Sequence, residues 1–398
     1  MIGRTSAALA LGALLAACSS AASQQASGVP FTGTSIPPVV ETVAPSTTAS
    51  TLATTTTVDP RPNATELAVG AQFINTAQSL MAADDVHAIS VTVLRGEYIV
   101  TESAQGVDTT GAPLTTASPF RLASVSKPLL AATVLLLADE GMIDLDATLA
   151  SQWTDRFAVT DARVRAITVR QLLQHTSGLD AMRNTFFFDG GIEWRGAADI
   201  ALATTLLHDP GTGYRYSNAN YVLLGRLVEQ RTGSTVDAVI ATKVLQPLGV
   251  TAARMNADTH SFATNGPRYI VGRAREYLEA LGPAGSWEMS AHDMAMVMTT
   301  LAPASANPLL SPESLNDMLT RTTLDDGEDA WDYGLGMMVG AGWWGHTGSI
   351  EDVSTFAIDL HNGYTVVVLA ATDEVTSGGA LMERFAAPLA ALLALPQR

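Results

Sequence analysis

The clearest periodic signals lie towards the two ends of the chain. Ala88–Leu94 and Tyr98–Ala104 alternate apolar and polar positions and are joined at Arg95-Gly96-Glu97, the signature of an antiparallel hairpin. Strand patterns return at Gly334–Val339, Gly342–Thr347, Ser354–Leu360 and Tyr364–Ala371, with His361-Asn362-Gly363 as a second hairpin turn. Between these groups the period changes. Ser124–Glu140 reads as a helix closed by Gly141, apolar around most of its circumference and therefore expected at the centre of the fold. Helical patterns broken by Gly and Pro fill residues 142–301: Val169–His175, Ala197–His208, Ala219–Thr232 and Val236–Val244. A first helix over Glu66–Ala83 follows the capping candidate Asn63, and a last one covers Met382–Leu393. Strands, helices, strands and helix in that order predict one α+β body over residues 63–398. It is a mainly antiparallel sheet flanked by helices, with an all-helical insertion at about 142–301 and an active site where the two parts meet.

Composition separates this body from what precedes it. Arg4 followed by the short apolar run Ala7–Ala17 reads as a targeting signal over residues 1–17, too brief to span a bilayer. It ends in Leu15-Ala16-Ala17-Cys18-Ser19, which resembles the lipobox of bacterial lipoproteins. That resemblance implies lipid attachment at Cys18 and a place on the extracytoplasmic face of the cell membrane; an unused lipobox would leave the protein secreted. Residues 18–62, rich in Ser, Thr, Ala, Gln and Pro, bury too little apolar surface to order themselves and read as a disordered tether. Cys18 is the single cysteine, which excludes an intrachain disulfide and a thiolate-rich metal site. A net charge of -17 argues against a nucleic-acid partner. No histidine pair has metal-ligand spacing, so neither a metal nor another cofactor is expected.

The lysines carry more information. Only Lys127 and Lys243 occur, so arginine serves wherever a generic cation is wanted, and a lysine kept here points to chemistry in which the proton is lost. Ser124 and Lys127 are spaced to share one face at the start of the buried helix. A serine needs a base within reach to act as a nucleophile, and a desolvated lysine near a helix N-terminus has its pKa lowered. The bare residues also allow a capping serine beside a surface lysine. Tyr216-Ser217-Asn218 follows a Gly-rich loop and precedes a helix, where a tyrosine can serve as a base and an asparagine can contact a substrate amide. A packed tyrosine and an N-capping Asn218 fit those residues equally. His346-Thr347-Gly348-Ser349 lies near a strand end, where Gly348 leaves room for a substrate strand. There the Ser349 N–H could join that of Ser124 as an oxyanion hole; the same residues also read as a turn leaving an edge strand.

Taken in order, Ser-x-x-Lys, Tyr-x-Asn and His-Thr-Gly resemble the serine β-lactamase and penicillin-binding-protein superfamily, in its class C β-lactamase, D-alanyl-D-alanine carboxypeptidase and esterase branch. The likeness extends over about Val86–Leu369. It includes Phe120–Pro128, Gly141–Asp146, Leu172–Leu179, Pro247-Leu248-Gly249 and Tyr333-Gly334-Leu335-Gly336. The resemblance implies a β-lactamase/transpeptidase-like fold, Ser124 as acylated nucleophile, Lys127 as its partner and Tyr216 as general base. Asn218, His346, Thr347, Gly348 and Ser349 would bind substrate. His346 in place of the frequent lysine, with Glu351 and Asp352 just after, favours an esterase or D-amino-acid peptidase over a β-lactamase, because an imidazole grips a carboxylate less firmly. The expected partner is a small-molecule or peptide substrate of the cell envelope. A non-catalytic lipoprotein that binds envelope peptides is the alternative of another class.

Overall fold

The computed structural model describes residues 61–396, apart from 84, 109, 154–158, 181–191, 256–277, 325–330, 351 and 373–376. The targeting signal, Cys18, the tether up to residue 60 and Glu351 lie outside the described residues.

The core is a seven-stranded antiparallel sheet in the order β2-β1-β10-β9-β8-β7-β6. Its strands are β1 (Ala88–Arg95), β2 (Tyr98–Gln105), β6 (Trp331–Tyr333), β7 (Met338–Gly340), β8 (Trp343–Ile350), β9 (Val353–Leu360) and β10 (Tyr364–Ala371). Both hairpins form where the turn signals stand. Because β1 pairs with β10 along its length, Ala88 opposite Ala371 and Arg95 opposite Tyr364, the ends of the body are locked side by side. The expected strand Gly334–Val339 is instead a turn followed by β7. The Gly334 N–H donates to the Met337 carbonyl, and Gly336, at φ +80°, brings the turn onto Ala131 where a side chain would not fit.

Two hydrophobic cores sandwich the sheet. Val366, Val368 and Ala370 of β10 face one, Val367, Leu369 and Ala371 the other, so the unbroken apolar run reflects burial on both faces. The first face is covered by α1 (Ala64–Ala82) and, further along the chain, by the C-terminal helices. Asn63 caps α1 in a capping box with Glu66, which also receives the Tyr364 hydroxyl at 2.7 Å and pairs with the buried Arg95. The second face carries the helical region: α2 (Lys127–Asp139), α3 (Val169–Leu173), α4 (Trp194–Leu202), α5 (Asn218–Thr232) and α6 (Ala291–Thr300). Of these α6 packs directly on β1, β9 and β10, so the chain has returned to the sheet before residue 301. A small sheet of β3 (Phe120–Arg121), β4 (Arg254–Met255) and β5 (Trp287–Met289), ordered β3-β5-β4, sits within the helical region beside the start of α2. Helix α7 (Pro312–Leu319) leads back to β6, and the last helix pattern divides at Phe385 into α8 (Gly378–Arg384) and α9 (Ala386–Leu393). Asn362, in the second hairpin turn, donates to the carbonyls of Leu392, Leu393 and Leu395 and closes α9. Among the described residues no helix is long and apolar enough to cross a membrane.

One polar group on the second face is out of place. Asp359 of β9 is buried, accepts from the Thr365 hydroxyl at 2.6 Å through one oxygen and has no partner among the described residues on the other. Burial pushes its carboxyl up to about 7. The fold therefore holds this proton more tightly than the unfolded chain. The resulting stabilisation is complete below the unfolded pKa near 4 and is lost as pH rises through about 7. Asp359→Asn, which keeps the shape without the charge, should raise stability by roughly 2–4 kcal/mol near pH 8 and leave it unchanged near pH 4. Denaturant titration at the two pH values measures the difference.

Candidate active site

Ser124 stands in a tight 3-10 turn, Ala123–Ser126, that runs directly into α2. The sequence reading placed the α-helix from Ser124 itself; the structure delays it to Lys127, with Pro128 in its first turn. In a 3-10 turn residues three apart eclipse, which brings the Ser124 and Lys127 side chains together more closely than α geometry would. Ala123, at φ +48°, adopts the left-handed conformation that a residue with a β-carbon avoids. Neighbours hold it there. The Leu122 N–H donates to the Trp287 carbonyl, the Leu122 carbonyl accepts from the Thr355 hydroxyl at 2.8 Å, and the Trp287 N–H reaches Ser126 Oγ. The turn is thus clamped between β5 and the main sheet.

Lys127 is completely buried, and its Nζ lies 3.0 Å from Ser124 Oγ, 2.9 Å from Asn218 Oδ1 and 3.0 Å from the Ala284 carbonyl. Asn218 comes from the first turn of α5, and Ala284 from the Gly282–Ala284 turn before β5. Among the described residues these hydrogen-bond partners are neutral oxygens, and desolvation pulls the lysine well below its usual pKa. The Nζ also sits over the rings of Tyr216 and Tyr221, 5.0 and 5.4 Å from their centroids. A neutral Lys127 amine can accept the Ser124 hydroxyl proton at that distance.

Tyr216 belongs to an aromatic layer beneath the site. Its ring centroid is 4.3 Å from that of His175 and 6.1 Å from those of Tyr333 and His346. His346 is buried, with Nδ1 2.5 Å from the Thr347 carbonyl and Nε2 2.9 Å from the Tyr333 hydroxyl. These partners fix the proton on Nδ1 and make Nε2 the acceptor from tyrosine. Burial and the nearby Lys127 pull its pKa down to about 3. The sequence puts an imidazole where a lysine is frequent; its buried position makes that imidazole neutral throughout the physiological range.

The other residues of the third motif divide. Strand β7 pairs only with Trp343–Gly345 of β8, so His346–Ile350 continue with no strand beside them on that edge among the described residues. Thr347 is half-buried, and its hydroxyl points to the sulfur of Met338. Ser349 is exposed, and its Oγ accepts from the Gly378 N–H at 2.8 Å. Gly348 plays a part the sequence reading did not foresee. A β-carbon there would collide with the Thr355 hydroxyl and stand 2.5 Å from the Leu122 carbonyl, so the missing side chain lets the Ser124 turn seat against β8. Asp352 occupies the β8–β9 turn at φ +61°. Sequence reasoning also assigned no role to Ala284, His175 or Tyr333; the last two lay inside segments it had singled out by resemblance. Among the described residues no cluster of His, Cys, Asp or Glu could hold a metal ion.

This constellation coincides with a family match. The sequence profile of the Beta-lactamase family matches residues 73–391. The chain belongs to the Beta-lactamase family. It is 28% identical over 346 residues to the esterase EstB of Burkholderia gladioli, covering 72% of this chain and 86% of that one. It is 36% identical to penicillin-binding protein 4 of Amycolatopsis lactamdurans over 148 residues, covering 35% of this chain and 37% of that one. Among solved structures, a D-stereospecific amidohydrolase from Streptomyces sp. superimposes with a TM-score of 0.63 at 24% identity, covering 78% of this chain and 97% of that one. D-amino acid amidase from Ochrobactrum anthropi SV3 gives 0.65 at 19% identity, with 81% and 98% covered. These two show the fold, and the fold is the β-lactamase-like one expected. The family match makes the chain a serine hydrolase of that family.

In this Beta-lactamase family hydrolase, Gly348→Ala should cost roughly 1–3 kcal/mol of stability, because neither Thr355 nor the Leu122 backbone can retreat from the added methyl. It should lower kcat as well, through displacement of the Ser124 turn. Thermal unfolding and turnover of a p-nitrophenyl ester read the two effects.

Proposed function

We propose that the protein hydrolyses uncharged esters or amides through an acyl-Ser124 intermediate, with Lys127 and Tyr216 moving the proton. The observation that carries this reading is the hydrogen-bonded set Ser124–Lys127–Asn218, in which the hydrogen-bond partners of a buried lysine among the described residues are neutral oxygens. As Ser124 Oγ bonds to the substrate acyl carbon, its proton passes to the Lys127–Tyr216 pair and then to the leaving alcohol or amine. Water, giving up a proton to the same pair, then attacks the acyl-enzyme and frees the acid and Ser124. With Asn218 Oδ1 bonded to Lys127, the Nδ2 end of that amide is the one suited to a substrate carbonyl. The substrate would lie along the β8 edge past Gly345, the side on which β7 stops.

The esterase or amidase reading stands ahead of β-lactamase for an electrostatic reason. A β-lactam or acyl-D-Ala carboxylate needs a cation beside the third motif, and His346 is buried, hydrogen-bonded at both nitrogens and neutral. The 28% identity to an esterase over most of the chain supports the same order. A purely binding role would not require a lysine within hydrogen-bond reach of the nucleophile. We further propose that the enzyme acts on small molecules or peptides of the cell envelope from the extracytoplasmic face of the membrane, held by lipid on Cys18; the lipobox-like segment Leu15–Ser19 supports this.

Ser124→Ala should abolish covalent labelling by a fluorophosphonate, and Tyr216→Phe should lower kcat by roughly 10²–10⁴. Wild-type turnover by either variant would refute its role. For the wild type, kcat/KM should be higher for p-nitrophenyl butyrate than for nitrocefin. The ratio should stay flat between about pH 5.5 and 8, since the His346 proton is lost far below that range. A preference for nitrocefin that rises as pH falls would show a protonated histidine gripping the carboxylate. Cys18→Ala should release the protein from the membrane fraction, and unchanged retention would remove the lipid anchor.

A further inference from the structure

The segment carrying Tyr216 and Asn218 is gripped on both sides of the tyrosine by His175. The Arg215 N–H donates to the His175 carbonyl at 2.8 Å, and the Ser217 N–H donates to His175 Nδ1 at 3.1 Å. Both neighbours of Tyr216 are therefore tied to His175, whose ring also packs on the Tyr216 ring at 4.3 Å between centroids. A second donor, Asn220 Nδ2, lies 2.9 Å from the same Nδ1, and Asn220 is itself oriented by the Ser177 hydroxyl at 2.6 Å. With two donors aimed at it, Nδ1 must present a lone pair, which puts the proton on Nε2. Nε2 has no hydrogen-bond partner among the described residues and lies within the cage of aromatic rings. His175 reaches both bonds because its backbone is left-handed, at φ +60°, turning carbonyl and side chain towards the same stretch of chain. Such a conformation in a residue with a β-carbon persists only where its surroundings impose it.

We propose that His175 is the positioning residue for the catalytic Tyr216-Ser217-Asn218 segment, acting as a hydrogen-bond acceptor that clamps the backbone on both sides of the tyrosine. It touches neither Ser124 nor Lys127 by hydrogen bond; it acts through Tyr216 and through the first turn of α5. Burial and the neighbouring Lys127 hold its pKa well below the usual histidine range, so the acceptor persists at every working pH. The inference rests on the reading of Tyr216 as a proton carrier.

The test compares His175→Asn with His175→Gly. Both replacements tolerate a left-handed backbone and both remove the ring; only asparagine offers an oxygen near the place of Nδ1. His175→Gly should lower kcat for p-nitrophenyl butyrate roughly 10²-fold, the size expected for a displaced catalytic group, with KM little changed. His175→Asn should recover most of that loss. In a Tyr216→Phe background His175→Gly should cost clearly less than in the wild type, because one of the groups it positions is already gone. Equal losses in the Asn and Gly variants, or full additivity with Tyr216→Phe, would overturn the clamp. A wild-type kcat in Tyr216→Phe alone would instead refute the assignment of Tyr216. If both His175 variants fail to fold, Asn220→Asp serves: it keeps the acceptor for Ser177 and replaces the Nδ2 donor to His175. A folded Asn220→Asp enzyme should lose kcat roughly tenfold at constant KM, as a general-base segment held less rigidly would; wild-type kcat there overturns the proposal.

Discussion

The complete burial of the Lys127 amine, whose hydrogen-bond partners among the described residues are neutral oxygens, is the constraint around which the site is built. Burying an ammonium costs several kcal/mol even after relaxation, and a neutral amine escapes most of that cost. Lys127 meets three oxygens, from Ser124, Asn218 and Ala284, contributed by three separate parts of the helical region. None carries a charge, so nothing restores the proton that burial removes. The same packing that seats α2 in the core therefore leaves a neutral amine within hydrogen-bond reach of the Ser124 hydroxyl. Structure and chemistry here share one cause, and a residue that weakens the burial of Lys127 weakens both.

The two buried histidines obey the same constraint. Burial above all pulls the pKa of both His175 and His346 down, with Lys127 nearby as the lesser cause. Each imidazole is left as a fixed neutral dipole. His346 donates through Nδ1 to the Thr347 carbonyl and accepts through Nε2 from Tyr333, tying β8 to β6 past the end of β7. His175 has the opposite tautomer and ties the loop before α5 to the segment after α3. Both spend their polarity on holding backbone in place. Neither is available as a charged hand for an anionic substrate.

Much of this was legible in the sequence. Alternating runs and hairpin turns identified the sheet, and the apolar circumference of Leu129–Leu137 identified the buried helix, because those patterns follow directly from burial on one or both faces. Ser124, Lys127, Tyr216 and Asn218 could be picked out because their spacing and lysine's rarity are local facts. The Ala284 carbonyl could not, since a backbone oxygen leaves no mark on residue identity. His175 stood inside a segment that was noticed, yet its bonds run to residues more than forty positions away. The start of Gly334–Val339 reads as strand because its apolar residues fit a strand pattern equally well; the close approach of Met318 and Ala131 to Gly334 and Gly336 decides for a turn.

Glycine in the third motif shows how a local reading and the packed structure can differ on cause while agreeing on place. Read locally, Gly348 makes room for a substrate backbone. In the fold the face without a side chain is occupied by Leu122, Ala123 and Thr355, and Gly378 closes over the same backbone with as little clearance. Ala123 is held in a left-handed conformation that would cost about 1–2 kcal/mol in a free chain. That cost is tolerable only if the turn is gripped from several sides, and a β-carbon at residue 348 would push the grip away. The small residue in the strand and the strained residue before the nucleophile are thus two halves of one arrangement. Strain at Ala123 sets where Ser124 points, and Gly348 is what allows the sheet to come close enough to keep it there.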